Sequence, residues 1–325
     1  MRTTLTLILL SSMFLSCSEN KQLSRIEILF DDDWKCQLGD VQGAENPLLK
    51  DDTWRSIDLP HDWSIETLPK QETGKVIGPF SKESIGTTAT GYTVGGTAWY
   101  RKTFTLDKDQ RFNQTLINFD GVYMNSEVWV NGKLVGNHPY GYTAFQYDIT
   151  EYLNPAGKPN VIAVKVKNEG KNSRWYSGSG IYRHVWLIQK QPVHIAHDGV
   201  FVNTESISGN EAAITVSSTV ENSTPTGIDV KLQIRIIDGN GKVAATSETS
   251  VKKIPTGTEA ITQRIKVPQA QLWSTDEPIL YTAEIQVVTN GKVTDQTTTT
   301  FGIRTIHFDA KTGFTLNGKP MELKG

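Results

Sequence analysis

The chain has 325 residues, a length that fits about two domains, and its 33 basic and 35 acidic side chains leave a formal charge of −2. That balance argues against a nucleic-acid binder, and 37% hydrophobic with 9% aromatic residues excludes a disordered or collagen-like chain. The two cysteines, Cys17 and Cys36, are too few for a disulfide framework, so the fold rests on packing.

Met1-Arg2 opens with a positive charge, and Leu5 to Leu15 is an apolar run too short to span a membrane, which reads as a secretory signal. The run ends in Phe14-Leu15-Ser16-Cys17. This resembles a bacterial lipoprotein cleavage box, with Phe14 where Leu is commonest, and implies Cys17 as the acylated first residue of the mature protein. An ordinary signal with an incidental Cys17 is the alternative. Cys36, left without a partner, reads as a small buried hydrophobe.

After the signal no helical stripe of three turns appears, while period-2 alternation recurs to the end, so the chain is predicted all-β. Tyr100, Lys102, Phe104 and Leu106 alternate with Trp99, Arg101, Thr103 and Thr105, and Val161 to Val166 forms a similar run. Asn131-Gly132, Asn290-Gly291 and Asn317-Gly318 each predict a tight hairpin turn, because such turns need φ > 0 at both central residues. Near Gln191-Pro192 the texture changes: seven of the eight tryptophans lie before it, and short Thr-rich strands follow. There Val230, Leu232, Ile234 and Ile236 oppose Lys231, Gln233 and Arg235. Ile261, Gln263, Ile265 and Val267 form a second set, and Tyr281, Ala283, Ile285 and Val287 a third. Such clean alternation predicts an immunoglobulin-like sandwich, two sheets with one wet face each.

Read in order, the chain contains Leu59-Pro60-His61-Asp62-Trp63, Gly96-Thr97-Ala98-Trp99-Tyr100-Arg101, Phe119-Asp120-Gly121, Val128-Trp129-Val130-Asn131-Gly132, His138-Pro139-Tyr140-Gly141-Tyr142, Ser179-Gly180-Ile181-Tyr182-Arg183, Leu272-Trp273-Ser274 and Phe301-Gly302-Ile303-Arg304. Together these resemble the family 2 glycoside hydrolases, most closely the β-galactosidases. The resemblance implies a jelly-roll (galactose-binding-like) sandwich, an immunoglobulin-like sandwich, then a (β/α)8 barrel holding two catalytic glutamates. The expected division is a signal over 1–17, the jelly roll over 18–191, the second sandwich over 192–304, and the lead-in hairpin of the barrel over 305–325. Only 21 residues follow Arg304, whereas a barrel needs about 200 to 250, so the barrel is expected to be absent from this sequence. A retaining glycosidase needs an acid and a carboxylate about 5 Å apart. Asn168-Glu169 and Asn210-Glu211 mimic the family's Asn-Glu pair, but both fall in strand-end or turn contexts and read as surface loop carboxylates. No catalytic residue is expected within the chain.

What the resemblance leaves to the first sandwich is substrate binding. Several relatives carry an Asp where this chain has Arg174, whose guanidinium suits either two sugar hydroxyls or a structural salt bridge. Trp175 and Tyr176 suit stacking on a sugar face, with core packing as the rival. Asp62 and Trp63 belong either near the barrel mouth or to a local turn that Asp62 caps. Arg183 reads as part of a structural ion pair. Asp31-Asp32-Asp33 lacks calcium-loop spacing, and His194 and His197 lack a third ligand, so all read as solvated loop residues with no metal. No glycine-rich phosphate cradle is present. No cofactor is expected in this chain; an alkali or alkaline-earth ion in the full enzyme would draw mainly on the barrel. The expected partners are galactoside-containing glycans, the chain's own barrel and, through the lipid anchor, a membrane at the bacterial cell envelope, with oligomerisation open and nucleic acid excluded. Alternatives are a carbohydrate-binding surface lipoprotein without catalysis, a docking scaffold, and a β-glucuronidase or β-mannosidase of the same architecture.

Overall fold

The computed structural model describes residues 24–66, 80–82, 84–107, 112–173 and 175–324. In chain order the first ten strands are β1 (Arg25–Leu29), β2 (Trp34–Leu38), β3 (Arg55–Ile57), β4 (Gly96–Thr105), β5 (Gln114–Phe119), β6 (Ser126–Val130), β7 (Lys133–His138), β8 (Phe145–Asp148), β9 (Pro159–Asn168) and β10 (Val185–Lys190). They form a four-stranded sheet, β1-β10-β5-β8, and a six-stranded sheet, β3-β2-β4-β9-β6-β7, antiparallel throughout. Trp34, Tyr100, Phe119, Val128, Val164 and Leu187 meet between them in one core. This is the sheet-on-sheet packing that the alternation predicts.

Strand β4 departs from that alternation. Trp99, Tyr100 and Arg101 are all buried, because the irregular stretch from Asp40 to Trp54 lies over the outer face of the six-stranded sheet. Arg101 is held there by an Asp51 carboxylate at 2.8 Å and by the carbonyls of Ala44, Asn46 and Leu49, so its charge is paired and each of its three nitrogens donates. Cys36 is buried and free, and burial pushes its thiol up to about 12.

Seven further strands follow: β11 (Val193–Ser208), β12 (Glu211–Asn222), β13 (Ile228–Ile237), β14 (Val243–Ile254), β15 (Gly257–Val267), β16 (Tyr281–Thr289) and β17 (Lys292–Phe301). Sheets β11-β12-β15 and β14-β13-β16-β17 enclose the three apolar sets read from the sequence. Asn131-Gly132, Asn290-Gly291 and Asn317-Gly318 all have positive φ at both positions, as their hairpins require. The two sandwiches are clamped by Arg25 of β1. Its Nε and Nη2 donate to both oxygens of the fully buried Asp295 at 2.8 and 2.7 Å, and Nη2 also donates to Ile195 O at 2.8 Å. Asp295 accepts in addition from Ile195 N–H at 2.7 Å.

The chain closes with β18 (Ile306–Asp309), β19 (Gly313–Leu316) and β20 (Lys319–Pro320), a three-stranded sheet rather than a simple hairpin. It is anchored to the second sandwich: Asn317 Nδ2 donates to Trp273 O at 3.0 Å and Arg304 sits over the Trp273 ring. Leu316 is buried, while Leu323 is exposed.

Three sequence expectations need correction here. Asp31 is not a solvated loop residue: it is buried and accepts from Val185 N–H at 2.8 Å and from His184 Nδ1 at 2.6 Å, tying β1 to β10. His194 is likewise buried, on β11, where Nδ1 donates to Gln191 O at 2.9 Å and Nε2 faces Glu221. Arg183 makes no ion pair among the described residues; its side chain lies exposed beside Gly121. Among the described residues no three His, Cys, Asp or Glu side chains converge on a metal position.

Candidate functional site

At one end of the first sandwich an extended segment, residues 177–183, is threaded between two others. On one side it takes backbone hydrogen bonds from His61 N–H to Ile181 O (2.8 Å) and from Trp63 N–H to Ser179 O (3.1 Å). On the other, Tyr123 and Gly180 exchange N–H···O bonds at 2.9 Å each. The crossing admits only glycine at 180. Its φ is +132°, and a Cβ would lie 2.5 Å from both His61 O and the Tyr100 hydroxyl.

Two polar side chains lock this crossing. Asp62 caps the 3-10 turn Trp63–Ile65, its Oδ1 accepting from Ser64 N–H at 2.8 Å and, across the fold, from Ser179 N–H at 2.7 Å. Asn168, at the end of β9, is buried; its Nδ2 donates to Gly178 O at 3.2 Å and Ser179 Oγ at 2.6 Å. Ser64 Oγ adds a 2.6 Å bond to Ser179 Oγ. Glu169, next in sequence, is exposed and bonded to Thr97, so the loop-carboxylate reading describes it, whereas Asn168 beside it is internal. Glu211 begins β12 and pairs with Lys266 at 3.1 Å.

Behind the crossing runs a polar chain. Glu66 fixes the Nε2–H tautomer of His61 through a 3.0 Å contact, so His61 Nδ1 accepts from the Tyr100 hydroxyl at 2.8 Å. Burial holds His61 below its ordinary value despite Glu66, and a hydrogen bond from Arg55 holds the Glu66 carboxyl low. Burial drives the Tyr100 phenol up.

In front of the crossing the aromatic side chains face outward. Trp175 is 67% exposed and lies 5.0 Å from the half-exposed Tyr176. Tyr176 in turn rests on Gly91, where a Cβ would come within 2.8 Å of its ring, and meets Phe80 at 6.2 Å. Neither ring belongs to the core of the first sandwich. Phe80 joins this face unannounced by the sequence, since it comes from an irregular stretch with no periodicity to read. Trp63 is corrected: it is 4% exposed, its Nε1 donates to Gly95 O at 3.2 Å, and its ring packs near Tyr100, so it is a core residue unable to stack on a ligand. Asp62 has its Oδ1 engaged in capping the turn and in holding Ser179, four residues on from Trp175, instead of facing solvent alone. Arg174 and Cys17 lie outside the described residues.

The family model described as glycosyl hydrolases family 2, sugar binding domain, matches residues 43–192, and that described as glycosyl hydrolases family 2 matches residues 193–304. The β-galactosidase BoGH2A of Bacteroides ovatus is 42% identical over 313 residues, which cover 95% of this chain and 35% of that protein. A putative β-glucuronidase of Formosa agariphila is 38% identical over 305 residues, covering 94% of this chain and 28% of its own. The crystal structure of a family 2 member from Bacteroides cellulosilyticus superposes with a TM-score of 0.87 at 42% identity, over 92% of this chain and 38% of that one. The chain thus spans about a third of the length of the relatives it matches.

Proposed function

We propose that this chain, which belongs to glycosyl hydrolase family 2, forms the sugar-facing scaffold of a retaining β-galactosidase whose bond-breaking carboxylates reside in a barrel outside these 325 residues. The reaction needs a carboxylic acid to protonate the leaving oxygen and a carboxylate about 5 Å away to attack the anomeric carbon. On this reading the chain supplies neither and shows no turnover alone. Its part is to hold the sugar: the Trp175 and Tyr176 rings offer an apolar face, and Arg174 offers paired donors to hydroxyls. Asp62 and Asn168 bond to Gly178 and Ser179, just after Trp175 and Tyr176 in the chain.

The observation that carries this reading is the exposed Trp175–Tyr176 pair standing on a crossing whose buried polar groups are bonded. A large exposed aromatic pair on a rigid frame is preorganised for a ligand. Calorimetric titration of the 325-residue chain with a β-galactoside tests it. Binding lost in Trp175→Ala at unchanged thermal stability is the expected result, and wild-type binding untouched by Trp175→Ala would overturn it.

A β-glucuronidase is the second reading, supported by the 38% identical relative described as a putative β-glucuronidase. An arginine at 174 also suits a uronate carboxylate. Titration with a β-glucuronide in place of the galactoside separates the two. We further propose that Cys17 carries a lipid holding the protein at the bacterial cell envelope; Cys17→Ser is then expected to move it from the detergent to the aqueous phase.

A further inference from the structure

A second pair of exposed rings stands at the same end of the first sandwich. Tyr140 and Tyr142 are 56% and 57% exposed, their ring centroids 5.6 Å apart at 66°. They flank Gly141 in the connection from β7 to β8, and that connection is tied down at three points. Asn125 N–H donates to Pro139 O at 3.2 Å, the Tyr182 hydroxyl donates to Gly141 O at 2.7 Å, and His138 Nε2 and Thr143 Oγ1 are 3.0 Å apart. Gly141 itself is buried, with room for no Cβ: one would lie 2.2 Å from Tyr123 Cδ2. Tyr142 meets the buried Tyr123 edge-on at 5.2 Å.

Tyr123 is the strand partner of Gly180, so this turn and the Trp175–Tyr176 segment hang on one crossing. Tyr142 leans on Tyr123 by one edge, and each of the two outer rings keeps more than half of its surface open. The face of the small C-terminal sheet is different in kind. There Ile306, Phe308, Met321 and Leu323 make an apolar patch suited to a protein surface. The Tyr140–Tyr142 surface presents two phenol rings with a hydroxyl at each tip, on a turn whose backbone is hydrogen-bonded at Pro139 and Gly141. Rings that are apolar on the face and polar at the tip, held at low conformational cost, suit a pyranose, whose own surface alternates C–H faces and hydroxyl rims.

We propose that Tyr140 and Tyr142 form an accessory sugar-binding platform that takes a further pyranose of the same glycan whose terminal galactoside sits on Trp175 and Tyr176. The proposal rests on the sugar-facing reading above, and it makes the natural ligand an oligosaccharide instead of a single residue or disaccharide. Ring stacking carries the contact, with the hydroxyls secondary.

The test is titration of the full 325-residue chain with lactose and with β-1,4-galactohexaose. The hexaose is expected to bind about tenfold more tightly, a difference of about 1.4 kcal/mol. Tyr140→Ala with Tyr142→Ala removes that gain while lactose affinity stays within about twofold, and Tyr140→Phe with Tyr142→Phe keeps it. Equal affinity for the two ligands, or a gain that survives the alanine pair, overturns the platform and leaves the Trp175 reading standing. Hexaose binding that depends on the tyrosines without any lactose binding overturns the Trp175 reading and keeps the platform; no binding of either ligand overturns both. Thermal unfolding of each variant guards against a folding defect, and Tyr140→Ala alone, at the ring that does not meet Tyr123, should by itself remove part of the gain.

Discussion

Asn168 is the residue on which the account can be tested most sharply, because it is buried, uncharged and remote from any catalytic chemistry. Asn168→Ala removes a donor that reaches Ser179 Oγ at 2.6 Å and Gly178 O at 3.2 Å, and an acceptor that takes Asn172 Nδ2 at 2.6 Å. Ser179 Oγ keeps its bond from Ser64, so the main loss is a stranded Gly178 carbonyl. Such a group costs about 1–3 kcal/mol, and a net bond contributes about 0.5–1.5 kcal/mol. The expected total is about 2–3 kcal/mol, or about 5–10 °C in the melting of the first sandwich. Because the 177–183 segment then loses one of its two locks, sugar affinity is expected to fall about tenfold as well. Urea unfolding and calorimetric titration read the two effects separately. Glu169→Gln, one residue on and exposed, should change stability by less than about 0.5 kcal/mol. An Asn168→Ala protein as stable as wild type with unchanged affinity would refute the argument that this side chain holds the site.

Three further outcomes follow from the same structure. Among the described residues, Arg25→Ala leaves the fully buried Asp295 carboxylate with only the Ile195 N–H donor and should cost about 3–5 kcal/mol in urea unfolding; a loss below about 1 kcal/mol would contradict the clamp. His61 is held below its ordinary 6.5 and Glu66 below its ordinary 4.5. In both cases the unfolded chain binds the proton more readily, so stability should decline as pH falls from about 7 towards 4. His61→Gln should flatten the part between pH 7 and 5, and an unchanged slope there would count against it. Cys36, with its thiol pushed up to about 12, should resist a thiol reagent at pH 8 in the native protein and react once unfolded; prompt native labelling would show the thiol to be open.

What the sequence revealed and concealed follows the physics of each segment. The sets Val230–Ile236, Ile261–Val267 and Tyr281–Val287 were legible because each strand has one dry face, and the Asn-Gly turns because their backbone demands a residue type. Arg101 was misleading. Its place in an alternating run suggests solvent, yet the Asp40–Trp54 stretch buries it, and irregular backbone leaves no periodic trace. The same blindness hid Phe80. Trp63 and Trp175 look alike as aromatic residues in polar loops, and only the Gly95 carbonyl bonded to one and the open surface around the other distinguish core from site. Asn168 was passed over for the glutamate beside it, since a buried amide that organises distant residues has no local signature.

The most direct test of the central claim is a crystal structure of the chain soaked with a β-galactoside oligosaccharide. The account predicts sugar density against Trp175 and Tyr176, reaching towards Tyr140 and Tyr142. Density confined to another surface, such as the β1-β10-β5-β8 face, would contradict it.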